Sequence, residues 1–318
     1  MKSRDRIVLL SIIILTALGG LCYLNYYYKF YAINGSNVNT TLDGSFSIMT
    51  FNVASTRVDD FTAEVQIKLI ELIKEEKPDI VCFQELSFEN LALIRPKLDS
   101  IYGPCFVLNG VDQSWRLRFY SHFPIRNFRK YHTVGAIKTD DLSNDEKDEI
   151  NQSQKQMGIM SAELEVGLNH WITLYSGHLR SSAYSTARRS MDKDASWFRG
   201  LSLYKRNYKI GKRLRDYESE NVRSFIDEAH MDRMPVIVAG DLNDWCGSDC
   251  LNTLMGDNLK DAWWEGGKGF GWTYFGWHLR LRLDHILYSD ELELVEVKVI
   301  DSDLSDHRPL MAKFRFTN

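Results

Sequence analysis

The chain has 318 residues and a formal net charge of −4 at pH 7. A net acidic chain is not built for indiscriminate binding to duplex nucleic acid, because such binding depends on lysine and arginine side chains that neutralise phosphates. The five cysteines are too few for a disulfide framework in a chain of this length. About 280 residues follow the apolar N-terminal segment, a length consistent with one large α/β domain.

The N-terminal segment combines a basic flank with a long uncharged run. Residues 2–6 carry three basic side chains, and no charged residue follows within 7–28. At a rise of about 1.5 Å per residue, this run is long enough to cross a hydrocarbon core of about 30 Å. Because a basic flank stays on the cytoplasmic side, we predict that residues 1–30 are a single-pass signal anchor and that the rest of the chain lies outside the cytoplasm. A cleaved signal peptide, with Ala17 and Gly19 at the cleavage site, is the alternative and would give an exported protein.

Residues 31–45 form a predicted linker, because the stretch 34–43 is rich in Asn, Thr, Gly and Ser. The remaining chain, residues 46–318, is predicted to be one domain in which strands and helices alternate. The predicted strands span residues 46–53, 79–83, 116–120, 171–175, 235–239, 286–288, 294–300 and 310–316. The predicted helices span residues 64–77, 91–100 and 184–229, the last with a break near Gly211.

The order of these elements indicates the fold class. The domain starts with a β-α-β pattern and ends with strands that look antiparallel, which indicates mixed sheets covered by helices. Residues 138–156 are polar and charged, and we predict a solvated loop or insertion there.

Two cysteines close in sequence leave a question of pairing open. Cys246 and Cys250 would lie in an oxidising environment if the domain faces outside the cytoplasm. Their spacing alone does not establish the geometry of a disulfide. No second pair of cysteines or histidines accompanies them, so a zinc site is not predicted.

Polar side chains stand at the edges of six predicted strands. At the carboxyl ends of predicted strands lie Asn52, Glu85, His178, Asp241 and Asn243, and at the openings of later strands lie Asp284, Asp306 and His307. Ligand sites in α/β folds lie at the carboxyl ends of parallel strands, and antiparallel neighbours would bring the openings of later strands to the same rim. Each residue taken singly is an ordinary turn or cap residue. Together at one sheet edge, these residues predict a metal-assisted hydrolase.

The motifs that contain these residues resemble those of the endonuclease/exonuclease/phosphatase superfamily, which has the deoxyribonuclease-I-like fold. The matching motifs are Thr50-Phe51-Asn52, Gln84-Glu85, Ser176-Gly177-His178-Leu179, Gly240-Asp241-Leu242-Asn243-Asp244, Arg282-Leu283-Asp284-His285-Ile286 and Ser305-Asp306-His307-Arg308-Pro309. They occur in the order and spacing of the family over residues 46–316. The resemblance implies a four-layer α/β sandwich, with two mixed β-sheets packed face to face and helices outside. It also implies a Mg²⁺-dependent phosphoesterase.

The same resemblance implies a metal site. Glu85 follows a buried strand, and a carboxylate is a hard ligand of the kind that Mg²⁺ or Mn²⁺ prefers. Carried over from the family, Glu85 binds the metal, with Asn52 and Asp306 beside it.

The resemblance also assigns catalytic roles. His307 pairs with Asp284, which orients the imidazole as in other acid–histidine dyads. Asp241 and Asn243 position the attacking water and the phosphate. His178 donates hydrogen bonds to phosphoryl oxygens as charge develops on them. Either His307 or Asp241 takes the proton of the water.

Two further residues are candidates for contact with the substrate. Arg118 lies where members of the family usually carry a tyrosine or arginine, and no catalytic tyrosine aligns there because Tyr120 is interpreted as a strand residue. Trp272 belongs to an aromatic run over residues 263–277. We interpret this run as largely core, because aromatic side chains bury large areas, and a substrate groove or a membrane contact is the alternative.

The predicted function is therefore an extracytoplasmic Mg²⁺-dependent phosphoesterase that hydrolyses a phosphodiester, as nucleases do, by metal-assisted attack of water. Its substrate is a nucleic acid, a phospholipid or a small phosphodiester, and the protein is predicted to be a monomer. A lipid-directed phosphodiesterase of the sphingomyelinase kind, a phosphomonoesterase and a catalytically silent binding module are the alternatives. The chain lacks the Trp-Cys-Asp-Arg arrangement of inositol-polyphosphate phosphatases before its terminal motif, which argues against that substrate class.

Overall fold

The computed structural model describes residues 31–32, 44–54, 61–103, 115–131, 158–181, 197–231, 234–276 and 279–317, together with positions 19–20, 143–144 and 147. Most of the predicted anchor, linker and insertion lies outside these residues. Among the described residues, no helix is both long and apolar enough to cross a membrane.

The domain is built from strands β1 to β13 and helices α1 to α5. The strands are β1 (Phe46–Asn52), β2 (Ile80–Gln84), β3 (Arg118–Ser121), β4 (Ile125–Tyr131), β5 (Gly158–Gly167), β6 (His170–His178), β7 (Val236–Asp241), β8 (Leu259–Asp261), β9 (Tyr274–Gly276), β10 (Leu279–Leu281), β11 (Asp284–Ser289), β12 (Leu292–Val299) and β13 (Leu310–Phe316). The helices are α1 (Ala63–Glu76), α2 (Phe88–Tyr102), α3 (Trp197–Met231), α4 (Asp249–Met255) and α5 (Ala262–Gly266).

Each predicted strand has a counterpart, but β4, β5 and the short strands β8 to β10 were missed. In β4 the apolar pattern is interrupted by charged side chains, because it is an edge strand with much of its surface in solvent. The predicted break at Gly211 is wrong, since α3 runs through it. Gly211 is buried there, and the same helix also buries the side chains of Leu214, Val222 and Ile226. The packing of this helix outweighs the cost of about 1 kcal/mol for a glycine inside a helix.

The strands form two mixed sheets and one hairpin. The first sheet has the order β12-β13-β1-β2-β3 and the second has the order β4-β5-β6-β7-β11-β8, while β9 pairs with β10. Strand β1 is parallel to β2 and β6 is parallel to β7, whereas β13 and β11 run antiparallel to their neighbours β1 and β7. The ends of β1, β2, β6 and β7 therefore meet the starts of β11 and β13 at one rim, as predicted.

Three apolar clusters show the layers of the fold. One cluster lies between the sheets and joins residues such as Ile48 and Leu174. A second packs α1 and α2 against the first sheet, and a third packs α3 and α4 against the second sheet. The order helix, sheet, sheet, helix is the predicted four-layer α/β sandwich, and this prediction is confirmed.

Among the described residues, no cysteine forms a disulfide. Cys246 and Cys250 do not form a disulfide, which answers the question that their spacing left open. Cys82 is also free and lies fully buried between the sheets, where burial raises the pKa of its thiol to about 12. A thiol with such a pKa stays protonated near neutral pH, so Cys82 acts as a core residue.

Candidate active site

The predicted site residues meet at the rim because of the register of the central strands. In the second sheet, Asp241 at the end of β7 is the Cα partner of His178 on one side and of Asp284 on the other. Asn52 ends β1 in the facing sheet, and its side chain reaches across to Asp241. The two sheets therefore contribute to one cluster, with Asp241 at its centre.

Asn52 links two carboxylates. Its amide nitrogen donates to Glu85 Oε1 at 3.2 Å and to Asp241 Oδ2 at 2.9 Å, while its Oδ1 accepts from the backbone N–H of Ala54 at 3.0 Å. Glu85 has a φ of 56°, in the left-handed region that a residue with a side chain rarely adopts. Strained backbone of this kind persists where the surroundings determine it and is common at functional sites. The bend after β2 turns the Glu85 carboxylate towards Asn52.

His307 and Asp284 form the predicted dyad. Nδ1 of His307 donates to Asp284 Oδ2 at 2.7 Å, and Nε2 of His307 lies 3.7 Å from Asp241 Oδ2. Burial of the ring acts to lower the pKa of His307, but the negative charges of Asp284 and Asp241 outweigh it and raise this pKa to about 10. Burial also raises the pKa of Asp241, and the nearby histidines only partly offset it.

His178 completes the cluster from the second sheet. Its Nε2 lies 3.6 Å from Asp241 Oδ2 and 3.7 Å from Glu85 Oε1, and the side chain is almost fully buried. Two imidazoles, those of His178 and His307, thus point their Nε2 atoms at the same carboxylate oxygen. Groups that donate hydrogen bonds around one anionic centre are suited to binding a phosphoryl group.

Asn243 has a different place from the one predicted. Its backbone N–H donates to Asp241 Oδ1 at 3.0 Å, and its side-chain amide donates to the carbonyl of Leu179 at 2.9 Å. Its φ of 54° is also in the left-handed region, which asparagine tolerates better than most residues. In this structure Asn243 therefore orients Asp241 and joins the loops that follow β6 and β7.

Three predicted residues do not join the cluster. The side chain of Asp306 is exposed, with its Oδ1 3.4 Å from Ser305 Oγ, because the turn directs its neighbours Ser305 and His307 inwards. Arg118 is 1% exposed and is paired in register with Phe83, which packs against the helices of the first layer. Trp272 stacks on Phe270 outside the cluster. The guanidinium of Arg118 donates to the carbonyl of Leu117 at 2.7 Å, and the contact of Arg118 with the substrate stays a prediction.

Three other residues support the site and were given no role from the sequence. Thr273 Oγ1 accepts from the backbone N–H groups of Leu283 and Asp284, each at 3.1 Å. The ring of Tyr274 lies 5.0 Å from that of His307. Ser305 Oγ donates to the carbonyl of Asn52 at 2.8 Å and accepts from the N–H of His307 at 3.1 Å. Ser305 and its motif were visible in the sequence, whereas nothing local distinguishes Thr273 from other loop threonines.

A buried ionic network lies beside the cluster. Arg282 donates to both oxygens of Asp261 at 2.7 Å, and His285 Nδ1 lies 2.7 Å from Asp261 Oδ2. His285 Nε2 donates to the carbonyl of Asp244, whose carboxylate accepts from Arg215 Nε at 3.1 Å. Burial acts to raise the pKa of Asp261, but Arg282 and His285 outweigh it and hold this pKa well below its usual range. The network connects β8, β11 and α3 to the loop that follows Asp241 and contains Asp244.

The donor set fits a divalent cation. Asp241, Asp284 and His307 each offer one ligand atom, and these atoms lie within 4.8 Å of one another. Asp284 Oδ1 is buried without a hydrogen-bond partner among the described residues, and Glu85 reaches the other side of Asp241 through Asn52. Buried carboxylate oxygens crowded together need a cation or protons, and hard oxygen ligands favour Mg²⁺ or Mn²⁺. Asn52 presents its amide nitrogen rather than its oxygen to these carboxylates.

Comparison with known proteins agrees with this fold. Residues 219–307 match the model of the Endonuclease/Exonuclease/phosphatase family. A UPF0294 protein of Vibrio cholerae is 30% identical over 118 residues, which are 37% of this chain and 40% of that protein. The match therefore spans about two fifths of the length of the curated relatives.

Solved structures extend the likeness over most of the chain. The human Nocturnin catalytic domain with bound sulfate has a TM-score of 0.58 at 16% identity, over 86% of this chain and 94% of that one. TDP2 of D. rerio complexed with a single-strand DNA product has a TM-score of 0.61 at 17% identity, over 86% of this chain and all of that one. The structural likeness shows the fold, and the family model matches residues 219–307 within it.

Proposed function

We propose that this protein is a divalent-metal-dependent phosphoesterase that hydrolyses a phosphodiester by attack of water. The observation that carries the proposal is the position of Asp241, whose Oδ2 lies 2.9 Å from Asn52 Nδ2, 3.6 Å from His178 Nε2 and 3.7 Å from His307 Nε2. The family match over residues 219–307 includes Asp241, Asp284 and His307 and supports the same chemistry.

A divalent cation, Mg²⁺ in our proposal and Mn²⁺ as the alternative, is held by carboxylates of the cluster. Asp241 would offer one carboxylate oxygen, with Asp284 within reach of the same point, and Glu85 would be the ligand that the family motif implies. Asn52 hydrogen-bonds to the carboxylates of both Glu85 and Asp241. When bound, the cation polarises the phosphate and neutralises charge that develops on its oxygens. Removal of the cation with EDTA is expected to abolish turnover.

The protein's own residues orient the phosphate and the water. Asp284 fixes the ring of His307 through a 2.7 Å hydrogen bond, so that Nε2 faces the space beside Asp241. His178 approaches the same space from β6 and donates to a phosphoryl oxygen. Asp241, whose pKa burial raises, borders this space and can accept the proton of the attacking water. His307, whose pKa is raised to about 10, is protonated near neutral pH and donates a hydrogen bond there instead. Holding water and ester in one geometry is a large part of catalysis in phosphoryl transfer.

The proposed substrate is a phosphodiester of the kind that nucleases cleave. The TDP2 structure contains a single-strand DNA product, and its fold covers most of this chain, which supports a nucleic-acid strand as the first substrate to test.

We also propose that the enzyme acts outside the cytoplasm, held by residues 7–28. The support is the absence of charge in this segment and the basic residues that precede it.

The test is hydrolysis of an aryl phosphodiester and an aryl phosphomonoester by the full chain in detergent, with Mg²⁺, with Mn²⁺ or with EDTA. Replacing His307 by Ala is expected to lower kcat/KM for the diester at least about 100-fold. The matched control is His170→Ala, an exposed histidine at the far end of β6 from His178. Metal-dependent turnover that survives in His307→Ala would overturn the proposal. Cleavage of the monoester alone would point to a phosphatase, and cleavage only of choline phospholipids would point to the lipid-directed alternative.

A further inference from the structure

The chain enters the domain beside the aromatic loop that precedes β9. Ala32 and Gly269 exchange two backbone hydrogen bonds, at 2.9 Å and 2.8 Å. Next to them, the ring of Tyr31 meets that of Phe270 edge to face at 5.0 Å. Ala32 itself is buried in the core between the sheets. The point at which the N-terminal segment reaches the domain is therefore defined by Tyr31 and Ala32.

This entry point is close to the end of the predicted anchor. Tyr31 is three positions after residue 28, and a chain of this length extends at most about 11 Å. If residues 7–28 cross a membrane, the loop that contains Gly269 and Phe270 must lie within about that distance of the bilayer surface.

The hairpin of β9 and β10 continues from this loop and has two distinct faces. Tyr274 pairs with His307 and packs on its ring, so one face turns towards the catalytic dyad. Phe275 and Arg280 are partners in the register and lie on the opposite face, because neighbouring side chains of a strand alternate. We call this opposite face, with Trp272 and Arg308 beside it, the outer hairpin face.

The outer hairpin face combines aromatic rings with guanidinium groups. Arg280 lies 5.2 Å from the ring centroid of Trp272 and 5.8 Å from that of Phe275, and Arg308 lies 4.0 Å from that of Phe275. Arg280 is exposed and has no carboxylate partner in the part of the chain that the structure describes. Arg308 pairs with Asp301, which is largely in solvent. Partly exposed aromatic rings with arginines alongside are typical of the interface between water and a bilayer.

From this juxtaposition we propose that the outer hairpin face rests on the anionic headgroups of the bilayer that holds the N-terminal segment. The inference rests on the proposed membrane location. The aromatic rings of Trp272 and Phe275 lie at the headgroup level, and Arg280 and Arg308 contact lipid phosphates. Because Tyr274 on the other face touches His307, the catalytic rim then opens beside the membrane surface. Substrates would reach it along that surface.

The test uses the full chain in nanodiscs that contain anionic lipid and lipids brominated near the headgroup, which quench nearby tryptophans. Trp272→Phe is expected to lower the amount of tryptophan emission that the brominated lipids quench per protein. The matched control, Trp171→Phe, is expected to leave it unchanged, because Trp171 lies under Arg126 on β6, away from the hairpin. Arg280→Gln should weaken the quenching of Trp272 in anionic nanodiscs, whereas Arg126→Gln should not.

The possible outcomes separate this proposal from the membrane location itself. If alkaline carbonate releases the chain from membranes, the membrane location is overturned and the lipid contact with it. If the chain is retained but Trp272→Phe is quenched as strongly as the unchanged protein, only the lipid contact is overturned. If a single-strand oligonucleotide in detergent changes Trp272 emission and nanodiscs do not, the outer hairpin face binds substrate instead, and the proposal is wrong.

Discussion

The surroundings of Asp241 disfavour the charged form of its carboxylate when no cation is bound. Asp241 is 1% exposed, it accepts from Asn52, and it lies close to Asp284. Burial raises its pKa, which means that the folded protein disfavours the charged carboxylate. A residue of this kind is retained for chemistry rather than for stability.

Replacing Asp241 by Asn should therefore separate activity from stability. We expect kcat for a phosphodiester to fall by about 100-fold or more, because the group at the centre of the site loses its charge. In EDTA, we expect a Tm at least as high as that of the unchanged protein. The comparison is Asp257→Asn, an exposed acid in the turn after α4. A variant that loses activity together with many degrees of Tm would show that Asp241 is mainly structural.

The surroundings of Asp261 have the opposite effect and favour its charged form, because Arg282 and His285 outweigh burial and lower its pKa. Asp261→Asn should lower the free energy of unfolding at pH 7 by about 3–5 kcal/mol, because it leaves Arg282 buried without its ionic partner. The stabilisation from a lowered pKa is complete above the usual value of 3.8 and is lost as pH falls through the folded value. The difference between the two proteins should therefore narrow below pH 4.

Urea unfolding at pH 7, 4 and 2.5 measures this difference. Asp290→Asn, which breaks the exposed pair with Lys260, is the control and should cost about 1 kcal/mol or less. A loss for Asp261→Asn that stays constant down to pH 2.5 would contradict the assignment.

At the scale of elements, the approach of β6 to β7 positions His178 and Asp241. Gly177 and Gly240 are partners in the register one residue before these side chains. A Cβ atom at position 240 would lie 2.0 Å from the carbonyl oxygen of Gly177, so only glycine fits there. Glycine at positions 177 and 240 therefore allows the close spacing of the two strands at the site.

Gly240→Ala should push β6 and β7 apart at the rim. We expect a stability loss of about 1–3 kcal/mol or more and a fall in kcat, since a shift of about 1 Å in a catalytic group can cost 100-fold. The control is Gly167→Ala, at the end of β5 that lies far from the site. The nearest atom to a Cβ at position 167 is 3.3 Å away, in the exposed side chain of His170. Equal activity of the two variants would mean that the strands adjust without moving the site.

At the scale of the whole molecule, the site depends on segments that are distant in sequence. Thr273 joins three of them: its side chain accepts from the N–H of Asp284, its carbonyl accepts from the N–H of Arg308 at 2.6 Å, and it precedes Tyr274, which packs on His307. The relative position of Asp284 and His307 therefore depends on a loop that supplies neither.

Thr273→Val keeps the size of this side chain and removes the acceptor. Because a buried N–H without a partner costs about 1–3 kcal/mol, we expect a stability loss in that range. We also expect kcat to fall about 10-fold with little change in KM, since a positioning residue acts on the dyad and not on substrate binding. Thr317→Val near the C-terminus is the control. A change confined to KM would contradict the positioning role.

The sequence by itself determined the central strands, the polar residues at their ends and the resemblance that implies a metal-dependent phosphoesterase. These are local properties: a buried strand such as β7 is a continuous apolar run, and Asp241 follows directly in the chain. The sequence also indicated the dyad of His307 and Asp284, because antiparallel neighbours of parallel strands must start at the same rim.

Only the tertiary structure decided how those residues meet and which of them are left out. Asp306 is exposed while its neighbours Ser305 and His307 turn into the site, and the buried guanidinium of Arg118 donates to the carbonyl of Leu117. Thr273 and Tyr274 become part of the site through a loop that folds back across the start of β11. Contacts between segments far apart in the chain leave no local periodicity, which is the physical reason that the sequence predicted the strand ends and not the loop that joins them.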